Sequence, residues 1–170
     1  LSSIEHASIA GEALNPEVFR QFQKATGLEI MEGFGQSEST VIIANLGSDQ
    51  IKVGSMGKPV PLYDVHLLSA EGEPVATGET GEICVKGPNV MMGYYNDEAA
   101  TRAAFTEDGY FKTGDYGKVV MEGNDQWIYI TGRLKNLIIF SNGKNVYPEE
   151  IETDIQGVYG VNEVVVYAGE

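Results

Sequence analysis

Apolar residues change their rhythm twice along this chain, and each change predicts a different kind of structure. In the first fifty residues they suggest strand, helix, strand. A short apolar stretch leads to Ser8 and Gly11, and then Val18, Phe19 and Phe22 fall on one face of a helix. Asn15 predicts the cap of that helix, since its side chain can accept from a free first-turn amide. Pro16 suits the first turn, where no amide is missed, and Gly27 suits the exit, where a left-handed residue is wanted. Leu28 to Met31 predicts a strand. Gly33-Phe34-Gly35-Gln36-Ser37-Glu38 predicts a polar loop, and Val41 to Leu46 is apolar again. This opening part has the pattern of the last β-α-β portion of an α/β layer.

From Lys52 to Ile130 short alternating runs dominate: Val65 to Leu68, Glu82 to Lys86, Val119 to Met121 and Trp127 to Ile130. Turn signals separate them at Glu71-Gly72, Thr77-Gly78, Asp108-Gly109 and Gly123-Asn124. That spacing predicts a small antiparallel barrel or sandwich. One helix interrupts it near Asp97 to Ala104, with Asn96 as its cap.

The second change falls at Thr131 to Glu152. Thr131 is expected to close a strand and Gly132 to break it. Arg133 and Lys135 follow the break, and Leu137 to Phe140 suits a new strand. Ser141-Asn142-Gly143 predicts a turn, because Asn and Gly tolerate positive φ. Pro148, with Glu149 and Glu150 behind it, opens a helix to Ile155 in the order the helix dipole favours. Glu163 to Tyr167 predicts a last strand. The fold class expected is α+β: the end of an α/β layer over 1–50, a β-barrel-like unit over 51–132, a hinge at 133–136, and the start of a small C-terminal α+β domain over 137–170. A first residue that is Leu and a last segment ending on an apolar strand pattern predict a piece of a longer polypeptide.

Composition narrows the function classes. Hydrophobic residues make up 42%, enough for a packed core and too many for wholesale disorder. Aspartate and glutamate number 25 against 11 lysine and arginine, a net charge of -14, which argues against nucleic acid and anionic membranes as bulk partners. A small anion held by backbone amides and a few cations is compatible with that surplus. The single cysteine, Cys84, excludes an internal disulfide framework and a cysteine zinc cluster. A reducing, cytoplasmic setting is expected, with no signal peptide and no integral membrane segment.

Three polar loops are candidates for chemistry. Gly11, with Glu12 and Ala13, stands before a helix, where a flat ligand can approach the backbone; an ordinary strand-to-helix turn has the same pattern. In the second loop Phe34, flanked by glycines including Gly35, can stack on a ring. Ser37 can bond a phosphate, and Glu38 can hold a hard cation, which prefers oxygen ligands. A surface loop with a solvated Glu38 fits the spacing equally well. In Phe111-Lys112-Thr113-Gly114-Asp115, the Asp115 carboxylate can accept from both hydroxyls of a ribose, or can bond its own backbone in a tight turn. Arg133 suits a ribose or phosphate ligand, or an exposed strand-end cation. His6 and His66 lack a metal-ligand pattern, and His66 suits a packed or edge position. Cys84 suits a small core residue better than a nucleophile.

Taken in order, these loops resemble the motifs of the adenylate-forming superfamily: acyl-CoA synthetases, peptide-synthetase adenylation domains and luciferases. GFGQSEST is similar to that family's aromatic-Gly-x-Thr-Glu motif. GEICVKGPNVMMGYYND, YFKTGD and GRLKNLIIFSNGKNVYPEEIE are similar to its later motifs, and the acid–CoA ligase branch fits best. The resemblance implies a two-step reaction on ATP with Mg²⁺. A carboxylic acid, expected to be a fatty acid, becomes an acyl-adenylate. The C-terminal domain rotates, and the thiol of coenzyme A takes the acyl group.

By the same resemblance, Gly11, Glu12 and Ala13 border adenine and ribose, Phe34 stacks near adenine beside Gly35, and Ser37 touches phosphate. Glu38 helps hold Mg²⁺, and Asp115 binds the ribose hydroxyls with help from Arg133. Lys135 matches the hinge, and Gly143 the loop lining the pantetheine tunnel. Phe34 stands where tyrosine is commoner, Ser37 where threonine is, and Lys135 where many relatives have aspartate. The family's phosphate loop is expected before Leu1 and its adenylation lysine after Glu170, so these 170 residues alone are expected to be inactive. Two other functions fit the sequence: an adenylation domain that loads a carrier protein, and a non-catalytic acidic β-rich interaction module.

Overall fold

In a computed structural model, residues 3–46, 51–141 and 143–169 are described. Strand β1 (Ala7–Ala10), helix α1 (Pro16–Thr26) and strand β2 (Ile30–Gln36) form the expected crossover, with β1 parallel to β2. The helix ends follow the sequence chemistry. Asn15 accepts the Glu17 amide at 2.8 Å, and Gly27, at φ 75°, donates its amide to the Gln23 carbonyl. The apolar face is narrower than expected: Phe19 is buried with Leu14 and Ile30, Phe22 packs against them, and Val18 is 52% exposed.

One correction concerns this first sheet. The expected loop over Gly33 to Glu38 is mostly strand. β2 runs on to Gln36 and turns tightly through 37–39 into β3 (Thr40–Ala44), which is antiparallel to it. Thr40 adopts φ 59°, the left-handed residue that closes a three-residue hairpin turn, and a bulge at Phe34/Gly35 absorbs the extra residue. A Cβ on Gly35 would overlap the Thr40 carbonyl, so only glycine lets the two strands close here. Strand β4 (Lys58–Pro59) completes the sheet order β1-β2-β3-β4.

The alternating region forms a second, antiparallel sheet in chain order. It contains β5 (Asp64–Leu68), β6 (Thr80–Lys86), β7 (Phe111–Glu122) and β8 (Asp125–Arg133). The architecture is the expected α+β one, with strands curled into a half-barrel. The sheets are stitched where Met56 donates to the Ile128 carbonyl and Ile128 to that of Gly57, each at 3.0 Å. Between them lies the main core, with Ile42 and Ile43 from the first sheet against Ile83, Val85, Phe111 and Ile128 from the second. Cys84 is buried, and burial pushes its thiol up to about 12, the value of an inert core residue. His66 lies on the edge strand β5, edge-on to Tyr110.

The helix between β6 and β7, α2 (Glu98–Ala103), is capped by Asp97, which accepts the Ala100 amide at 2.8 Å. Asn96, the expected cap, instead takes φ 54° one residue earlier. Gly132 does not break β8, which continues to Arg133, because a bulge at Tyr116/Gly117 restores pairing as far as Asp115. A single 3₁₀ turn follows at Leu134–Asn136. The next strand shrinks to β9 (Ile138–Ile139), paired with β10 (Asn145–Val146). In the turn between them Gly143 has φ 80° and donates to the Phe140 carbonyl; Asn142 lies outside the described residues.

Helix α3 (Pro148–Gln156) forms as expected. The strand predicted over 163–167 is absent. No described strand runs beside it, and the Val166 amide donates to the Glu152 carboxylate at 2.7 Å instead of to a ladder partner. Among the described residues no helix is long and apolar enough to cross a membrane.

Candidate functional site

The turn after β2 faces the start of β7 and the end of β8 across an open cleft of about 930 Å³. Six of the candidates read from the sequence line it: Gly11, Gly35, Ser37, Glu38, Arg133 and Lys135. They arrive from three separate stretches of chain. Gly11 stands just after β1, the next three on the β2–β3 hairpin, and the last two at and after the end of β8.

Asp115 sits just behind the lining, 3% exposed, inside β7 and not in a tight turn. The register places it directly opposite Arg133 on β8, and Arg133 Nε lies 3.1 Å from Asp115 Oδ1. Its own amide donates to Thr113 Oγ1 at 3.1 Å. Burial pushes its carboxyl above the ordinary range. Arg133 and Gln36 draw it back, while the charge of Glu149 adds to the rise. The result is a carboxylate buried at the foot of an open cleft, beside a cation whose side chain is 63% exposed and free to meet a ligand.

Three residues without a role in the sequence analysis shape this site. Gln36 Nε2 donates both to the Thr113 carbonyl at 2.8 Å and to Asp115 Oδ2 at 2.5 Å, tying the first sheet to the second. Tyr94 donates its hydroxyl to Glu38 Oε1 at 3.2 Å. Glu32, buried in β2, accepts the Leu14 amide at 2.8 Å and so fixes the end of the 11–13 loop. Burial pushes the Glu32 carboxyl up to about 7. A carboxylate five residues before the hairpin turn is visible in the sequence. Its burial is not legible there, since that depends on the chain around Leu14 folding back onto β2.

The remaining candidates stand apart from the cleft wall. Glu12 and Ala13 are exposed on the loop after Gly11. Phe34 packs against the main core. Gly143 is exposed on the β9–β10 turn. Lys135, which does line the cleft, is exposed in the 3₁₀ turn. Asn136, at the end of that turn, bonds Glu149, and Lys118 on β7 bonds Glu150 at 2.9 Å, so α3 is held against the second sheet.

Among the described residues no group of three His, Cys, Asp or Glu side chains could cage a metal. The arrangement fits the other way a protein holds Mg²⁺, through one carboxylate with waters and ligand phosphates completing the shell. Glu38 suits that use.

The cleft thus brings Ser37 and Glu38 near the buried Asp115 and its partner Arg133. The family described as AMP-binding enzyme matches residues 1–95. A long-chain-fatty-acid–CoA ligase of Bacillus subtilis is 43% identical over 168 residues, 98% of this chain and 29% of that protein. A feruloyl-CoA synthase of Amycolatopsis is 40% identical over 142 residues, 82% of this chain and 28% of that protein. The ATP-bound structure of MatB from Rhodopseudomonas palustris superposes with a TM-score of 0.86 at 33% identity, covering 94% of this chain and 31% of that one. The chain thus spans under a third of the length of these relatives, and it belongs to the AMP-binding, adenylate-forming enzyme family, on its acyl-CoA ligase side.

Proposed function

We propose that the cleft binds ATP and that the polypeptide carrying it is an acid–CoA ligase. A carboxylate oxygen attacks the α-phosphorus of ATP, and pyrophosphate leaves with the electron pair of the broken P–O bond. The thiol of coenzyme A then attacks the acyl carbon, the acyl–oxygen bond breaks, AMP leaves, and the thiol proton passes to solvent. Chemistry of this kind needs alignment and charge neutralisation more than a protein nucleophile.

The observation that carries this proposal is the Asp115–Arg133 pair facing Ser37 and Glu38 across the cleft. Asp115 accepts from the ribose hydroxyls and Arg133 swings to assist. Ser37 donates to a phosphate oxygen, and Gly11, Glu12 and Ala13 border adenine and ribose. Phe34, behind Gly35, gives the adenine side an aromatic backing. Glu38 holds Mg²⁺, which when bound neutralises phosphate charge. The exposed 3₁₀ turn supports Lys135 as the hinge between 51–132 and 137–170, and Gly143 as a tunnel residue after rotation. The acid is proposed to be a fatty acid, in line with the Bacillus subtilis relative; the feruloyl relative makes an aromatic acid the contrasting outcome.

Acid-dependent ATP–pyrophosphate exchange by the complete polypeptide tests this. Asp115→Ala removes a charged acceptor of two hydroxyls and is expected to raise the KM for ATP roughly 10–100-fold. Exchange with ATP affinity unchanged in that variant refutes the assignment. Transfer to a carrier protein but not to free coenzyme A corrects the acceptor.

A further inference from the structure

We propose that Gln36 is a positioning residue for the Asp115 carboxylate, and that its amide makes the site select a ligand with a vicinal diol. The inference rests on the nucleotide assignment of the cleft. Both carboxylate oxygens of Asp115 are held, but by unequal partners. Oδ1 meets Arg133, whose side chain is 63% exposed and can leave when a ligand arrives. Oδ2 meets Gln36 Nε2 at 2.5 Å, and that nitrogen is anchored by its second donation, to the Thr113 carbonyl at 2.8 Å. A primary amide has two N–H groups, so both are committed.

The backbone of Gln36 is fixed as well. Its amide donates to Ser39 Oγ at 3.3 Å, and its carbonyl accepts the Ser39 amide at 3.1 Å. Ser39 itself is fully buried. The carboxylate is therefore oriented from the first sheet, while the strand bearing it belongs to the second. Gln36 also directly precedes Ser37 and Glu38, which line the same cleft. Leucine at this position leaves the Thr113 carbonyl and Asp115 Oδ2 without that donor, and glutamate places a like charge on Asp115. Asparagine is one methylene short of the same reach.

The test is pyrophosphate exchange by the complete polypeptide with ATP and with 2′,3′-dideoxy-ATP, comparing wild type, Gln36→Leu, Gln36→Met and Asp115→Ala. Loss of one hydrogen bond to a charged group is expected to raise the KM for ATP roughly tenfold in both Gln36 variants, with kcat nearly unchanged. The preference for ATP over the dideoxy analogue is expected to shrink by a similar factor. Gln36→Met keeps length and flexibility and serves if the leucine variant does not fold. Undiminished preference for the diol in the Gln36 variants, with Asp115→Ala abolishing it, overturns the inference and leaves the nucleotide assignment standing. So does an equal loss for both nucleotides, the sign of a merely structural residue. If Asp115→Ala also keeps the preference, the nucleotide assignment falls and this inference with it.

Discussion

Replacing Glu32 by glutamine is expected to flatten part of the stability–pH profile. Glu32 is 3% exposed, and burial lifts its carboxyl from 4.5 to about 7 despite the opposing bond from the Leu14 amide. The unfolded chain loses this proton near 4.5, and the folded chain keeps it to about 7. Between those values the folded state binds more protons, so stability falls as pH rises through the window, and the loss is complete above it. The interval from 4.5 to about 7, at about 1.4 kcal/mol per pH unit, corresponds to a full loss of about 3.5 kcal/mol, of which about 3 falls between pH 4 and 8.5. Glutamine keeps an oxygen for the Leu14 amide and has no charge to desolvate. Urea unfolding of both proteins from pH 4 to 8.5, followed by the buried Trp127, measures the difference. Every other titrating group, the buried Asp115 included, is common to both and cancels. The glutamine variant should gain about 3 kcal/mol on wild type between the two ends of the range. Parallel curves refute the claim that this carboxyl is desolvated at the joint of α1 and β2.

Two further substitutions test the backbone that carries the site. Gly35→Ala drives a Cβ into the Thr40 carbonyl and should cost about 3 kcal/mol or more, whereas Gly33→Ala meets its nearest neighbour, Val41 Cγ1, at 3.4 Å and should cost about 1 kcal/mol or less. Equal denaturant midpoints for the two variants would contradict the close approach of β2 and β3. Asp97→Ala should lose about 1 kcal/mol with the α2 cap, while Asn96→Gly should lose nothing, since its left-handed φ suits glycine; the reverse order in thermal melts would restore Asn96 as the cap.

How much of the fold could be read from the sequence follows from where each instruction is written. The ends of α1 were legible because Asn15, Pro16 and Gly27 act within a few residues of themselves. The hairpin over 36–40 was not. Glycine, serine and glutamate look like loop residues, but a bulge at Gly35 and a left-handed Thr40 let the strand carry them to the turn. Gly132 looked like a breaker for the same reason, and pairing of Asp115 with Arg133 across β7 and β8 overruled it. The apolar run over 163–167 shows the converse. Val164, Val165 and Val166 have strand propensity, yet a strand also needs a ladder partner, and the Val166 amide finds a glutamate instead.

The candidate site divides along the same line. Ser37, Glu38, Asp115 and Arg133 were named from short motifs, each of which tells only which residue types stand together in sequence. What turns them into one cleft is their meeting across two sheets, and no motif contains that. Gln36 shows the gap most plainly. It stands inside the GFGQSEST motif with no role legible there, because its partners, Thr113 and Asp115, lie 77 and 79 residues away. Residues that touch a ligand tend to cluster in motifs, since the ligand is small. Residues that hold those contacts in place are scattered, since the scaffold is large. Sequence motifs therefore find the first kind and pass over the second, and the substitutions at Gln36 and Glu32 probe the kind that only the packed sheets reveal.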